Sequence, residues 1–389
     1  MEWKEVILGE ITNLVIDYRG KTPLKLGSSW SDSGYRALSA KNIKTGQIVA
    51  EDSIRFVDEE LYRKWMKDEV KKGDILITSE APFGQIYYWD SDEKIVLSQR
   101  LFDVRLNDEV CHKYVYYFMT SHRYQKDLEG RATGTTVTGL RQPELLKSTI
   151  LLPPLSAQRS ISSILSSLDR KIELNNKINA DLEEMAQAIF KNWFVDFEPF
   201  KDGKFVDSEL GMIPEGWKVG TLGELCNFKR GKNLLTKNAI DEGVPVVAGG
   251  LEPSCYHNVA NTGAPVITVS GSGANAGFMR MYHVPVWASD CSFIDISCEN
   301  FYFVYCFLKV NSKLLKHAQT GAVQPHVKPS DIHDFELVIP DKESIYDFQD
   351  KVKPFFDKIA SIQKENSRLS LLRDTLLPRL MSGEIEVPE

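Results

Sequence analysis

Two long stretches of this chain carry apolar residues at alternating steps of three and four. The repeating positions of the first stretch, from about residue 156 to 194, are Leu165, Leu168, Ile172, Asn175, Asn179, Leu182, Ala186 and Ile189. Those of the second stretch are Val352, Phe355, Ile359, Ile362, Asn366, Leu369, Arg373 and Leu376. This spacing predicts two coiled-coil helices whose apolar seams are interrupted by polar residues. A helix of roughly 40 residues is about 60 Å long, which is more than a small domain needs and indicates a spacer.

The rest of the pattern occurs twice. Residues 3–10 match residues 217–224 at a shift of 214, and residues 114–189 match residues 301–376 at a shift of 187. The two shifts differ by 27, so the first copy has 27 additional residues in its middle. Each copy predicts a short opening motif, a variable middle, an apolar helix, a Thr-Gly loop, a strand that ends in proline, and a long helix. The sequence therefore predicts one mixed α and β unit that is used twice.

The apolar helix of each copy, residues 114–119 and 301–308, is rich in aromatic residues. Such a stripe could stack on nucleic-acid bases. However, a helix that is apolar nearly all round is more typical of a protein core. We therefore expect both helices to be buried.

Composition places the chain among ordinary globular proteins, with 389 residues, 42% of them apolar and 10% aromatic. No apolar stretch is long enough to cross a bilayer, and residues 1–6 lack the basic and then apolar run of a signal peptide. We expect a soluble cytoplasmic protein that does not contact a membrane. The six cysteines form no Cys-x-x-Cys pair, which favours buried free thiols over a metal site.

A formal net charge of −7 argues at first against a nucleic-acid partner, but the distribution of charge changes that view. Residues 18–50 contain six Lys and Arg and one Asp, and residues 130–143 contain two Arg and no acid. In the second copy, residues 229–237 and 300–330 each contain four basic residues and no acid. A single charge run is usually a solvated face. Acid-poor regions at matching places in both copies instead predict a surface that contacts phosphates.

The same loops carry the amides, hydroxyls and guanidinium groups that read base edges. The candidate DNA-contacting residues are Arg19, Lys21, Thr22, Arg36, Lys41, Asn42, Arg131, Thr133, Thr135, Thr136 and Arg141 in the first copy, and Lys229, Arg230, Lys232, Asn233, Ser272, Asn275, Thr320, Gln324, His326 and Lys328 in the second. The alternative for the Thr-Gly loops is a polar turn whose hydroxyls cap the next element.

Motifs for catalysis and cofactor binding are incomplete. Residues 19–22 resemble the end of a phosphate-binding loop, but Val15 stands where that motif needs glycine. Residues 271–277 place the third glycine one residue too late for a dinucleotide fingerprint. Residues 152–155, Leu-Pro-Pro-Leu, lack the Asn or Asp and the Tyr expected of an amino-methyltransferase. We therefore expect no catalytic residue, metal or cofactor in this chain.

Several motifs in fixed order resemble the specificity subunit of a type I restriction–modification system. They are the repeated opening at 3–10 and 217–224, Leu-Pro-Pro-Leu-Ser-Ala-Gln at 152–158, Phe-Val-Asp-Phe-Glu-Pro at 194–199, Gly-Met-Ile-Pro-Glu-Gly-Trp at 211–217, and Leu-Leu-Pro-Arg-Leu-Met-Ser-Gly-Glu at 376–384. The resemblance covers essentially the whole chain. The shorter second middle departs from the first, so contacts cannot be transferred between the two.

The resemblance implies an α/β (α+β) fold in which two globular target-recognition domains are separated by two long antiparallel coiled-coil helices, with an internal pseudo-two-fold repeat. The implied segments are recognition domain 1 at 1–154, spacer helix 1 at 155–197, a linker at 198–213, recognition domain 2 at 214–340, and spacer helix 2 with the C-terminal tail at 341–389. In this arrangement each recognition domain reads one half of an asymmetric bipartite DNA site.

The resemblance also implies partners. They are double-stranded DNA, two methyltransferase subunits that bind S-adenosylmethionine, and restriction subunits that use ATP and magnesium to translocate and cut. The helices are expected to set the gap between half-sites and to dock these subunits. Two alternatives stay open at this point: an RNA- or DNA-binding scaffold outside restriction, and a standalone endonuclease.

The repeat also pairs Asn179 with Asn366, each at a seam position of its helix. If the helices pack antiparallel about a pseudo-two-fold axis, these amides are expected to bond across the seam and to penalise slipped registers. The alternative is that both side chains point to water.

Overall fold

The computed structural model describes residues 3–134, 138–319 and 325–387. The chain forms two compact units: unit 1 is Met1–Glu173 with Asn366–Glu389, and unit 2 is Leu174–Glu365. Each long helix therefore contributes to both units. The boundaries predicted for the five segments of the chain stay a prediction.

Unit 1 begins with a mixture of short strands and helices. The strands are β1 (Lys4–Ile7), β2 (Thr12–Asp17), β3 (Tyr35–Leu38), β4 (Ile43–Lys44), β5 (Gln47–Ile48), β6 (Arg55–Val57), β7 (Ile75–Thr78), β8 (Ile86–Tyr88), β9 (Val96–Leu97), β10 (Leu101–Leu106) and β11 (Thr149–Leu152). The helices are α1 (Glu59–Trp65), α2 (His112–Thr120), α3 (His122–Arg131) and α4 (Gln142–Leu146). The first long helix, α5, is Leu155–Phe194.

Unit 2 is built from the same kinds of element. Its strands are β12 (Phe205–Val206), β13 (Ile213–Pro214), β14 (Lys218–Thr221), β15 (Lys229–Arg230), β16 (Val244–Val247), β17 (Cys255–His257), β18 (Val266–Ser270), β19 (Met279–Tyr282), β20 (Trp287–Ala288), β21 (Cys291–Asp295) and β22 (Glu336–Ile339). Its helices are α6 (Phe301–Val310), α7 (Ser312–His317) and α8 (Pro329–His333), and the second long helix, α9, is Lys342–Met381.

The two units share one topology. An antiparallel sheet has the order β2-β10-β7-β8 in unit 1 and β15-β21-β18-β19 in unit 2. A second sheet has the order β6-β3-β9 in unit 1 and β17-β16-β20 in unit 2, and its last pair is parallel in both. The strands that enter and leave each unit also pair, β1 with β11 and β14 with β22. The predicted internal repeat is therefore confirmed.

The extra residues of the first copy fall mainly in two places. Residues 39–54 join β3 to β6 and contain the β4–β5 hairpin, where unit 2 has only residues 248–254 between β16 and β17. Residues 58–74 join β6 to β7 and contain α1, where unit 2 has only residues 258–265. The length difference is thus absorbed mainly in connections, and the strand order of both sheets is unchanged.

Each long helix has 40 residues, as the periodicity predicts. In unit 1, Asp169 of α5 pairs with Arg373 of α9 at 2.8 Å, and the core contains Ile161 together with Leu380. In unit 2, the Asn175 amide donates to the Glu365 carboxylate at 2.9 Å. The Phe348 ring of α9 lies 5.6 Å from the Phe190 ring and 5.2 Å from the Phe194 ring of α5. Later residues of α5 therefore meet earlier residues of α9, and the helix segments run antiparallel within each unit.

The predicted seam residues differ in burial. Leu165, Val352, Ile359 and Ile362 are buried. Half-buried seam positions are Leu168, Ile172, Asn179, Leu182, Ile189, Phe355, Asn366, Leu369 and Leu376. The periodicity did not single out Phe356, which is 2% exposed and lies in the core of unit 2 beside the half-buried Phe355. Asn179 belongs to unit 2 and Asn366 to unit 1, and their pairing stays a prediction.

The apolar helices lie in the cores. All residues from Phe301 to Leu308 in α6 are buried, and the Tyr302 and Tyr305 rings pack on Phe356 of α9. In unit 1, the buried Tyr114 and Phe118 of α2 share a core with Leu165 of α5. The expectation of core packing is confirmed, and these aromatic rings do not form a base-stacking surface.

Unit 1 also buries a carboxyl group on the central strand β10. Asp103 is fully buried, and neither of its carboxyl oxygens has a hydrogen-bond partner among the described residues. Burial is the largest cause that raises the pKa of Asp103 well above its usual range, and the negative charge of Asp74 adds to it. Asp74 itself is paired with Arg105 at 2.7 Å and accepts the Lys71 backbone N–H. Asp103 is therefore favoured in its protonated form when unit 1 is folded.

We expect Asp103→Asn to stabilise unit 1 at pH 7 to 8 by about 1 to 3 kcal/mol relative to the parent chain. A raised folded-state pKa gives stability that is complete below the unfolded pKa of about 4 and is lost as the pH rises through the folded pKa. The substitution removes that loss, so the difference should shrink toward pH 4. Hydrogen exchange of peptides that cover β10 measures the effect between pH 5 and 8.

Asp74→Asn is the matched control, because it weakens the ion pair with Arg105 and should accelerate exchange at every pH in this range. Faster exchange of β10 in Asp103→Asn at pH 8 would contradict the assignment.

Candidate nucleic-acid interface

An Arg-Gly-Lys tripeptide begins the basic loop of each unit, at residues 19–21 and 230–232. In unit 1 it follows β2, and in unit 2 its arginine is the last residue of β15. The identity is visible in the sequence at a shift of 211, between the two stretches that align at 214 and 187. A count of charged residues alone does not reveal this shared tripeptide.

Arg19 is held by several contacts inside unit 1. Its Nε and Nη2 donate to the Asp17 carboxylate, each at 2.8 Å, and its Nη1 donates to the Leu140 carbonyl at 3.2 Å. The centre of the guanidinium lies 4.0 Å from the centroid of the Phe102 ring. Arg19 therefore connects the end of β2 to the loop before α4, and most of its guanidinium N–H groups are bonded within the protein.

Lys21 is also engaged. Its Nζ donates to the Trp65 carbonyl at 2.5 Å and lies 3.7 Å from the centroid of the Tyr18 ring. Burial, the largest cause, lowers the pKa of Lys21. The Thr22 hydroxyl accepts the Lys25 N–H at 3.3 Å. Lys21 and Thr22 therefore make contacts within unit 1 that stabilise the basic loop.

The next candidates differ in exposure. Arg36 makes a two-pronged pair with Glu93, with both contacts at 2.7 Å, and this hydrogen bonding raises the pKa of Arg36. Asn42 is fully buried, and its amide bonds to Ser39 and to carbonyls of the β5–β6 connection. Asn42 therefore fixes the loop and does not present its amide to solvent. Lys41, by contrast, is exposed.

The Thr-Gly loop of unit 1 is closed by a pair of backbone hydrogen bonds between Thr133 and Gly139, both at 2.9 Å. Arg131 precedes it and pairs with Asp127 at 2.9 Å. Arg141 follows it and is exposed, and its carbonyl accepts the backbone N–H groups of Glu144 and Leu145 in α4. Thr135 and Thr136 of this loop, and Thr320 and Gln324 of the corresponding loop in unit 2, lie outside the described residues.

A cleft of about 350 Å³ in unit 1 brings together side chains that the charge count did not connect. Lys41, Arg55, Arg100 and Trp30 line it, together with Gln99. The Arg55 guanidinium lies 5.2 Å from the centroid of the Trp30 ring, and Arg100 pairs with Glu80 at 2.9 Å. Amides, guanidinium groups and an indole face suit contacts with phosphates and bases.

Sequence reasoning missed Arg55 and Arg100 because they lie outside the acid-poor stretches and meet the other cleft residues only after folding. Arg55 stands three residues after Asp52, and Arg100 follows β9. Part of the cleft wall comes from residues 39–54, a connection that is nine residues longer than its counterpart 248–254 in unit 2. This part of the wall therefore has no full equivalent in the second copy.

In unit 2 one carboxylate organises the corresponding region. Asp290 accepts hydrogen bonds from both Arg230 and the Ser272 hydroxyl. Arg230 lies so close to Gly271 that a Cβ there would come within 2.1 Å of its Nη1. A side chain at residue 271 would therefore have to displace the Arg230 guanidinium from this position.

A second cleft, of about 440 Å³, is lined by Arg230, Gly271, His326, Lys328 and Pro329–Ser330. His326 forms an isolated β-bridge with Ser272, so the segment that follows the Thr-Gly loop of unit 2 lies beside the glycine-rich loop at this cleft. The sequence predicted three of its residues, Arg230, His326 and Lys328, in separate stretches, and the fold brings them together.

The other unit 2 candidates lie at the surface or in the loop framework. Lys229, Lys232, Asn233 and Lys328 are exposed. The Lys232 backbone is fixed, because its N–H bonds to the Ala288 carbonyl and its carbonyl accepts the Trp287 indole N–H. Asn275 donates to the Gly249 carbonyl at 3.2 Å and so braces its loop.

The arrangement leaves a defined set of cations for an anionic ligand. Among the candidate residues in the described part of the chain, the exposed cations whose charged groups make no hydrogen bond or ion pair are Lys41, Arg141, Lys229, Lys232 and Lys328. The candidate arginines Arg36 and Arg230 are instead paired with Glu93 and Asp290, which are distant in sequence. The exposed cations can contact phosphates, while the two clefts offer donors of different shape in each unit.

Two further observations concern other functions. The described ranges contain no group of three His, Cys, Asp or Glu side chains arranged to hold a metal ion. In the same ranges, no helix combines the length and the apolar character needed to cross a bilayer.

Comparison with known proteins tests the resemblance that the motifs carry. Residues 1–184 and 214–370 match the model of the family described as type I restriction modification DNA specificity domain. The type I restriction enzyme MjaIX specificity subunit of Methanocaldococcus jannaschii is 32% identical over 345 residues, which cover 82% of this chain and 79% of that protein. The HindI specificity subunit of Haemophilus influenzae is 27% identical over 413 residues, which cover 82% of this chain and 88% of that protein.

Among solved structures, the S subunit of a type I restriction–modification system from M. genitalium covers 97% of this chain and 96% of its own, with a TM-score of 0.57 at 19% identity. This likeness supports the fold. The family match spans most of the chain in two segments, which confirms both the resemblance and the internal duplication. The chain therefore belongs to the type I restriction–modification DNA specificity family, whose domain it contains twice.

Proposed function

We propose that each unit reads one half of an asymmetric bipartite site in double-stranded DNA, and that α5 and α9 set the gap between the halves. One observation carries this proposal: the two units have the same topology but present different basic surfaces. Unit 1 has a cleft walled by its longer 39–54 connection, whereas unit 2 has a cleft organised by Asp290. Two different half-sites require two different recognition surfaces, and here these surfaces are built on the same fold.

We also propose that the long helices dock two methyltransferase subunits and restriction subunits, which supply chemistry that this chain lacks. S-adenosylmethionine, ATP and magnesium then bind to those subunits and no cofactor binds here. The long helices leave apolar side chains in solvent that such partners could cover, among them Leu174, Met185 and Leu371, which are 53%, 50% and 69% exposed. One such side chain alone would be ordinary, and it is their number on the two long helices that supports the proposal.

The modular proposal predicts the result of a domain exchange. Replacing residues 214–340 by those of a relative should change the preference in one half of the target and leave the other half and the gap unchanged. The exchanged segment starts at Pro214 in β13 and ends just after β22, so the long helices are kept. Selection from a pool of duplexes with a randomised centre measures the preference; a change in both halves would contradict separate reading.

The phosphate role of the exposed cations gives a second prediction. Lys232→Ala should weaken binding to all duplexes alike and reduce the slope of log affinity against log salt by about one, because one phosphate contact is lost. Lys204→Ala is the control, since Lys204 is exposed in the linker outside both clefts. Loss restricted to the preferred duplex would assign Lys232 to base reading instead.

The absence of catalytic motifs gives a third prediction. The purified chain should show no methylation or cleavage of duplex DNA when supplied with S-adenosylmethionine, ATP and magnesium. Methyl transfer to labelled DNA and gel analysis of a supercoiled plasmid measure the two activities. Turnover that co-purifies with this chain through a second affinity step would overturn the non-catalytic assignment.

A further inference from the structure

One exposed leucine occupies the same position in both copies. Leu24 and Leu235 are each the fifth residue after the arginine of Arg-Gly-Lys, and they are 86% and 61% exposed. Outside α5 and α9, Leu24 is the most exposed large apolar side chain of unit 1 and Leu235 that of unit 2, within the described chain. A single exposed leucine is ordinary. Here, however, the most exposed leucine of each unit lies at the same position after Arg-Gly-Lys, which indicates a common cause.

In unit 1, the turn that carries Leu24 is fixed. The Leu26 N–H bonds to the carbonyls of Thr22 and Pro23, at 3.2 and 3.0 Å, and the Gly27 N–H bonds to the Leu24 carbonyl at 3.1 Å. Pro23 is buried, and Leu26 packs against the core beneath. The backbone on both sides is thus anchored while the Leu24 side chain stays in solvent.

The equivalent loop of unit 2 is also held at both ends. The Trp287 indole N–H donates to the Lys232 carbonyl at 2.8 Å, and the Asn238 N–H bonds to the Leu235 carbonyl at 2.9 Å. The Asn238 carbonyl in turn contacts the His257 ring at 3.1 Å. Leu235 is therefore presented on a turn of defined shape.

The surroundings of both leucines are basic. Residues 18–31 and 227–240 contain no Asp or Glu. Lys25 follows Leu24 directly, and Lys237 stands two residues after Leu235; both lysines are exposed. An isolated apolar side chain among cations is too small for a protein interface, but it fits a polyanion that offers apolar slots between stacked bases.

We propose that Leu24 and Leu235 are wedges that insert between adjacent base pairs, one in each half of the target, while the neighbouring lysines contact the flanking phosphates. Leucine is among the side chains that DNA-bending proteins insert in this way, and insertion unstacks one base step. This inference rests on the proposed function. It adds a specificity element that makes no hydrogen bond, because pyrimidine–purine steps unstack more easily than others.

The test uses the full chain and the duplex that it enriches most from a pool with a randomised centre. 2-Aminopurine, whose fluorescence rises on unstacking, replaces one adenine at a time along that duplex. Binding of the parent chain should raise the fluorescence at one step in each half. Leu24→Asn should abolish the rise in one half, Leu235→Asn in the other, and each should weaken binding roughly tenfold.

Two controls separate a wedge from a folding effect. Leu24→Met keeps an apolar side chain of similar length and should keep the signal. Leu210→Asn replaces a leucine that is 47% exposed in the linker and should change neither fluorescence nor affinity. Unchanged melting temperatures are expected for all variants, because each replaced side chain lies in solvent.

The outcomes distinguish this inference from the proposal it rests on. A parent chain that enriches no duplex from the pool would contradict the proposed function. An enriched duplex whose 2-aminopurine signals stay flat on binding, or signals that persist in both asparagine variants, would overturn the wedges alone. A change in sedimentation of Leu24→Asn or Leu235→Asn without any change in DNA binding would assign the leucines to protein association and would also overturn them.

Discussion

The core of each unit depends on a helix that comes from the other copy of the repeat. In unit 2, Phe190 and Phe194 of α5 pack on Phe303 and Phe348, although α5 follows the strands of unit 1 in the chain. In unit 1, Leu380 and Met381 at the end of α9 are buried in the core that contains α2. Burial of several large apolar side chains contributes about 1.5 to 3 kcal/mol each. Neither unit can therefore complete its core from one copy of the repeat.

This exchange of helices explains why the seam is only partly apolar. Where a long helix passes a globular core, its inward side chains are buried, as Leu165 and Val352 are. Near the middle of α5, the helix pair relies on polar contacts such as the bond from Asn175 to Glu365. Amides and carboxylates in such a place favour one register over a slipped one, because a slip leaves buried polar atoms without partners.

The repeat, the lengths of the long helices and the burial of α2 and α6 could all be predicted, because each is written in local periodicity or in self-similarity. The candidate interface could be predicted only in outline. Asn42 is an internal brace, and Arg19, Arg36 and Lys21 are satisfied within the protein. Their partners include Glu93 for Arg36 and the Trp65 carbonyl for Lys21, which are distant along the chain, so a count of neighbouring charges does not see them. The unit 1 cleft was missed for the same reason: Arg55 and Arg100 meet Trp30 and Lys41 only after folding.

The pairing of entry and exit strands has a consequence for how such genes diversify. Lys4 opposes Leu152 in unit 1, and Lys218 opposes Ile339 in unit 2, so each globular middle is a loop that is closed by hydrogen bonds at its own base. A recombination event with crossover points at these closures replaces a whole middle, and the hybrid chain keeps the contacts that α5 and α9 make with each other, such as Asp169 with Arg373 and Asn175 with Glu365. The 27-residue difference between the two middles shows that this base tolerates middles of unequal length. The sequence between the two closing strands can thus be exchanged as one piece, whereas the sequences of α5 and α9 must be inherited together.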